Sequence, residues 1–222
     1  MNFKDIFSYF YFYFIKLFML DDTPEGAIKY NNKILNFNPD FKKSWFRKAE
    51  SFTFEKKYDE AIECYDEVLK REPLFFNAIL GKAQSFQRKT NYKSSIKCLD
   101  KCIDIEPYNY YIFYLKAKSL HDLGEYEESI EIFDNLLNKF PNSVPVLFGK
   151  AVILSIYNDN ENALKIYNKI INTPKNFKDP VFKGRSNIVS FKDLKNFEID
   201  AHFNKGSCLW RMGDLEGAYY SN

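Results

Sequence analysis

Metal ligands and catalytic groups are scarce in this 222-residue sequence. It holds only two histidines, His121 and His202, and four cysteines, Cys64, Cys98, Cys102 and Cys208. No CxxC is present and neither histidine stands near a cysteine pair, so the ligand spacing of a zinc site is missing. Cys98 and Cys102 fall at i, i+4 of a helical pattern, where a thiol normally packs as a small hydrophobe. Reduced thiols place the chain in a cytoplasm-like compartment. There is no Ser/His/Asp or Cys/His arrangement, no HExxH and no glycine-rich phosphate loop. The chain therefore reads as a non-enzyme, with no cofactor and no metal expected. A surplus of one charge is missing too: 32 Lys and Arg face 30 Asp and Glu, so no global field draws the chain to nucleic acid. In the apolar N-terminal segment the longest charge-free run, Ile6–Ile15, falls short of the roughly 20 residues a membrane helix needs.

What the sequence does have is aromatic side chains, 18% of the total, and a period. Prolines stand at Pro39, Pro73, Pro107 and Pro141, each 34 residues after the last. Between Pro39 and Pro73, Trp45, Ala49 and Phe52 lie at i, i+4 and i+7, one face of a helix. After the polar break Glu55-Lys56-Lys57, Ala61, Tyr65 and Val68 repeat the spacing. Shifted by the period, the columns read Ile79-Ala83-Phe86 with Ser95-Leu99-Cys102, then Phe113-Ala117-Leu120 with Ser129-Phe133-Leu136. Leu147-Ala151-Leu154 with Ala163-Tyr167-Ile170 follows. One unit is thus two amphipathic helices closed by a proline, and small residues at fixed places let the paired helices approach closely.

This pattern resembles the tetratricopeptide (TPR) family, through the bulky Trp45, the small Ala49 and Ala61, the aromatic Phe52 and Tyr65, and the closing Pro73. The glycine usual at the turn between the helices stands at Gly124 and Gly213. The resemblance implies an all-α fold, a right-handed superhelical solenoid of antiparallel helix pairs, with a concave groove that binds a peptide or protein segment. The units are residues 8–41 (with a degenerate first helix), 42–75, 76–109, 110–143 and 144–177; an insertion over 178–198 precedes a partial sixth unit, 199–222. Asn31 takes the place of the aromatic in the first unit.

First helices line the groove in this family, and rotating away from the core column points Lys43, Phe46, Glu50 and Phe54 into it. The corresponding residues include Leu80, Gln84, Tyr111, Tyr114, Lys118, Phe148 and Val152. Phe12, Phe46, Leu80, Tyr114, Phe148 and Phe203 form a column of large apolar residues, read either as anchors for a bound segment or as packing between neighbours. A second column, Lys48, Lys82, Lys116, Lys150 and Lys205, reads as lysine stems laid over apolar neighbours; acidic residues interleave, which argues against a basic track for RNA. The family's clamp for the acidic tail of chaperones requires Lys, Asn and Arg at set places. Here those places hold Phe12, Lys16, Arg47, Asn77 and Gly81, so no chaperone-tail binding is expected.

Residues 1–20 carry the open question. Tyr11, Ile15 and Phe18 keep the period, which makes the segment the first helix of unit one. Its apolar character also suits a membrane anchor or a signal sequence, the alternative being a membrane-associated scaffold. A terminal unit should turn a polar face outward, yet this one turns out Phe10, Phe12 and Tyr13. Such a face calls for a cover: lipid, a partner protein, or a second copy. The half-built sixth unit fits a regulatory repeat region of a longer protein.

Overall fold

The computed structural model describes residues 3–18, 23–174, 181 and 191–221, and those residues form helices with no strand among them. The chain divides into two compact units, Met1–Pro107 and Tyr108–Asn222. The first holds α1 (Phe3–Phe18), α2 (Pro24–Phe37), α3 (Lys42–Phe54), α4 (Tyr58–Arg71), α5 (Phe76–Arg88) and α6 (Tyr92–Ile105). The second holds α7 (Tyr110–Leu123), α8 (Tyr126–Lys139), α9 (Val144–Ile156), α10 (Asn160–Ile171), α11 (Phe191–Arg211) and α12 (Leu215–Tyr219). Most of the stretch assigned to the insertion lies outside the described residues, but α11 already runs from Phe191 within it.

Within each unit every helix packs against its neighbours in sequence. First helices also meet one another, α3 with α5 in the first unit and α9 with α7 and α11 in the second. The small-residue columns explain the closeness: Ala49, Ala61, Ala83, Ser95, Ala117, Ser129, Ala151 and Ala163 are all fully buried, at 0% exposure. Around them pack the larger members of the columns, such as Tyr65 and Val68 beside Trp45, Phe46 and Phe52. In the second unit Tyr167 and Ile170 pack beside Leu147, Phe148 and Leu154.

A second fit locks consecutive pairs. At α4–α5 and α8–α9 the aromatic of the second helix lies beneath the first helix that follows, where a glycine makes room. A Cβ on Gly81 would fall well inside contact distance of the Tyr65 ring, and one on Gly149 within 2.5 Å of Phe133 Cζ. In the first pair Asn31 stands in the aromatic's place. It is buried, its Nδ2 donates to the Ala27 carbonyl at 2.7 Å, and its Oδ1 has no partner among the described residues.

The five described turns between paired helices are built the same way. Lys56, Thr90, Gly124, Asn158 and Gly213 have φ of +61°, +58°, +91°, +60° and +83°. The residue after each donates its N–H five residues back, to the carbonyls of Phe52, Phe86, Leu120, Leu154 and Leu209, at 2.9–3.0 Å. This left-handed closure satisfies carbonyls that the helix end leaves open. Side chains then start the second helices: Thr23, Asn91, Asp159 and Asp214 each accept from a backbone N–H three residues on.

Candidate peptide-binding face

The adjoining first helices, α3 with α5 and α9 with α7 and α11, give each unit a face that is the candidate binding surface. Most of the apolar column assigned to it turns toward the interior. Phe46 sets its ring 6.0 Å from Tyr65 and 5.3 Å from Phe75. Tyr114 meets Phe133 at 6.4 Å, and Phe148 meets Tyr167 at 6.2 Å and Phe197 at 5.4 Å. The same contact recurs at the same spacing: the first-helix aromatic closes on the second-helix aromatic of its own pair. Phe12 likewise is half-buried against Phe41, at 5.8 Å, rather than turned outward. Leu80 and Tyr111, at 7% and 5% exposure, belong to the core and not to a surface that a ligand reaches. Each sits one position from a fully buried isoleucine, Ile79 or Ile112, on the flank of the helix nearest the core.

The remaining predicted residues differ in character between the units. In the first, Lys43 donates to Tyr13 Oη at 2.8 Å with its ammonium over the Tyr9 and Tyr13 rings. Glu50 accepts from Arg47 at 3.1 Å, Gln84 is half-buried, and Phe54 and Arg88 are exposed. That face is polar, with one bare ring. In the second, Lys118 is exposed and Val152 half-buried, while Ile156 and Phe203 stand out at 48% and 67% exposure. That face is largely apolar.

The lysine column resolves into ion pairs. Lys82 pairs with Asp66 and Lys150 with Asp134, each reaching from a first helix to the second helix of the preceding pair. Lys116 pairs with Glu128 at 3.4 Å. These contacts pair three of the five lysines with acids, which interrupts the column as a basic stripe. Lys48 differs, because Asn32 occupies the place of the acid. Its ammonium lies instead over the rings of Trp45, at 5.2 Å, and Phe52, at 5.6 Å. Those three side chains line a cleft of about 890 Å³ with Glu60, Glu63 and Glu67 of α4. Sequence reasoning missed this cleft; its signal was two ring-bearing core positions beside a lysine with asparagine, not an acid, 16 residues earlier.

Burial governs the titratable groups nearby. The Tyr65 and Tyr167 hydroxyls are both pushed up to about 12 by desolvation, and the Cys64 thiol to about 11. Such groups stay protonated and serve packing. Among the described residues no cluster of His, Cys, Asp or Glu is placed to hold a metal, and no helix is long and apolar enough to cross a membrane.

Comparison with known proteins bears on this architecture. Residues 54–136 match the family model of subunit 3 of the anaphase-promoting complex (cyclosome). MamA from Desulfovibrio magneticus RS-1 superposes with a TM-score of 0.67 at 18% identity, over 76% of this chain and 94% of that one. A tetratricopeptide repeat protein from Parabacteroides merdae gives 0.63 at 16% identity, over 89% and 69%. YrrB, described as a TPR protein with an unusual peptide-binding site, gives 0.58 at 15% identity, over 86% and 88%. The fold is that of the tetratricopeptide-repeat proteins. PilW, a type IV pilus biogenesis factor, superposes at a TM-score of 0.64 and 15% identity, over 98% of this chain and 88% of that one. No curated protein matches this chain in sequence.

Proposed function

We propose that the protein is a non-enzymatic scaffold that holds a peptide or protein segment along its first helices. Repeat proteins of this type are typically scaffolds, and YrrB is described as having a peptide-binding site. The observation that carries the reading is the second unit's face, where Val152, Ile156 and Phe203 leave apolar surface on adjoining helices while the rings of Tyr114 and Phe148 are used internally. Large apolar side chains on a rigid helical frame supply binding area at low entropic cost. Lys118 at the rim favours a segment that combines apolar anchors with acidic side chains. Burial of Cys64, Cys102 and Cys208 as small apolar groups supports a reducing, cytoplasmic setting.

The test uses the exposed positions, which can change without unfolding the chain. Intact protein and the variant Ile156→Glu/Phe203→Glu are each used to capture partners, with circular dichroism as the control for folding. A partner set that falls at least tenfold in the variant supports the reading. The same partners returning in equal amounts would sink it.

A further inference from the structure

Helix α1 carries an apolar face that stays largely exposed, with Phe37 beside Phe7 and Lys43 over Tyr13 at its edges. Phe3, Ile6, Phe7, Phe10, Tyr13 and Phe14 are between 45 and 76% exposed, and they recur at helical spacing along one side. The other side is engaged: Ser8 is buried, Tyr9 and Phe12 pack on Phe41, and Asp5 and Ser8 accept from Asn38 Nδ2. The repeat period shows what such a face is for. Phe10 is the counterpart of Ser44, Ala78 and Val146, all fully buried where the second helix of the preceding pair lies across α3, α5 and α9. The face corresponds to one that receives a helix elsewhere, and at α1 its residue is phenylalanine where the later first helices carry Ser44, Ala78, Ile112 and Val146.

We propose that this face is an interface between two copies of the chain, α1 against α1 about a two-fold axis. The area is of the right size. Five aromatic side chains of about 150–250 Å² each, about half exposed, leave roughly 400–700 Å² per copy before Ile6 is added, close to the ~800 Å² per partner of a standard interface. Phe37, 41% exposed and 5.0 Å from the Phe7 ring, extends it. The chemistry is self-complementary. No charged side chain interrupts the row from Ile6 to Phe14, and its rings already stack in pairs, Phe7 on Tyr11 and Phe10 on Phe14. A two-fold axis near the middle of the row would set Phe7 of one copy against Phe10 of the other, with lysines only at the margin. A lipid surface fits less well, because an interfacial helix draws on a basic opposite face, and here that side is packed on protein.

Sedimentation velocity of the intact chain over micromolar concentrations tests this, independently of whether the first-helix face binds a segment. A monomer–dimer equilibrium is expected. Phe10→Glu should weaken it by about thirty-fold or more, the effect of losing a central anchor, with unchanged helix content because the side chain is exposed. Phe7→Lys should weaken it alike. Mixing the two variants should restore dimer, because the carboxylate introduced by Phe10→Glu then faces the ammonium introduced by Phe7→Lys. A wild-type monomer throughout overturns the proposal, as does growth beyond the dimer or a dimer that Phe10→Glu leaves intact. Vesicles of neutral or anionic phospholipid serve as the last arm: a monomeric wild type that sediments with them while Phe10→Glu does not would assign the face to lipid instead.

Discussion

A left-handed turn residue costs most when its side chain branches at Cβ. Thr90 holds φ +58° at the place where Gly124 and Gly213 hold theirs freely. An L residue there costs on the order of 1–2 kcal/mol, less whatever its extra unfolded-state restriction returns. Thr90→Gly is therefore expected to raise the urea midpoint by the equivalent of about 1 kcal/mol, and Gly124→Ala to lower it by a similar amount. A Thr90→Gly protein no more stable than the wild type would show that the turn is held by something other than the conformational preference of that residue. The sequence pointed to this turn only where glycine marked it. Lys56, Thr90 and Asn158 adopt the same geometry because the closure to Phe52, Phe86 and Leu154 satisfies helix-end carbonyls strongly enough to override preference.

Between neighbouring helices, the volume that one residue gives up is filled by another. Gly81 lies over the Tyr65 ring, so its missing Cβ is space already occupied. Alanine is the better helix former by about 1 kcal/mol, yet Gly81→Ala is expected to destabilise by about 1–3 kcal/mol, since overpacking a rigid ring exceeds the propensity gain. The pairing is checkable by a double-mutant cycle. With Tyr65→Leu already in place, Gly81→Ala should cost much less, a coupling above about 0.5 kcal/mol. Additive costs would mean the two residues do not share that space. This is also where the sequence was most and least legible. Helix order and the small columns could be read because burial repeats every 34 residues, and Ala49 or Ser129 admits no other role. The orientation of Phe46, Tyr114 and Phe148 could not, because a helical wheel rotates a residue toward a groove without knowing that Tyr65, Phe133 or Tyr167 waits across the pair. The pairing of Lys82 with Asp66 and of Lys150 with Asp134 was legible only as a shared offset of 16 residues, which a reading of single helix faces passes over.

At alkaline pH, burial of hydroxyl and thiol groups links protonation to folding. Each compact unit contains a tyrosine whose hydroxyl is pushed up to about 12 by desolvation, Tyr65 in the first and Tyr167 in the second. Tyr167 keeps a partner in Ser155 Oγ at 3.3 Å, but that contact is the smaller influence. The folded state holds these protons more tightly than the unfolded state, where tyrosine ionises near its ordinary value of about 10. Stability from this source is complete below about pH 10 and falls as pH rises toward about 12, because the unfolded chain then binds fewer protons. The slope approaches about 1.4 kcal/mol per pH unit for each tyrosine, and Cys64, raised to about 11 from about 9, starts the decline earlier. Urea midpoints measured from about pH 8 to 12 should therefore drop steeply above about pH 10. Tyr65→Phe and Tyr167→Phe should each flatten the curve, since a ring without a hydroxyl has no proton to lose. A midpoint that holds steady to about pH 11.5, or a slope that both substitutions leave unchanged, would mean that the hydroxyls are not desolvated in the fold as placed.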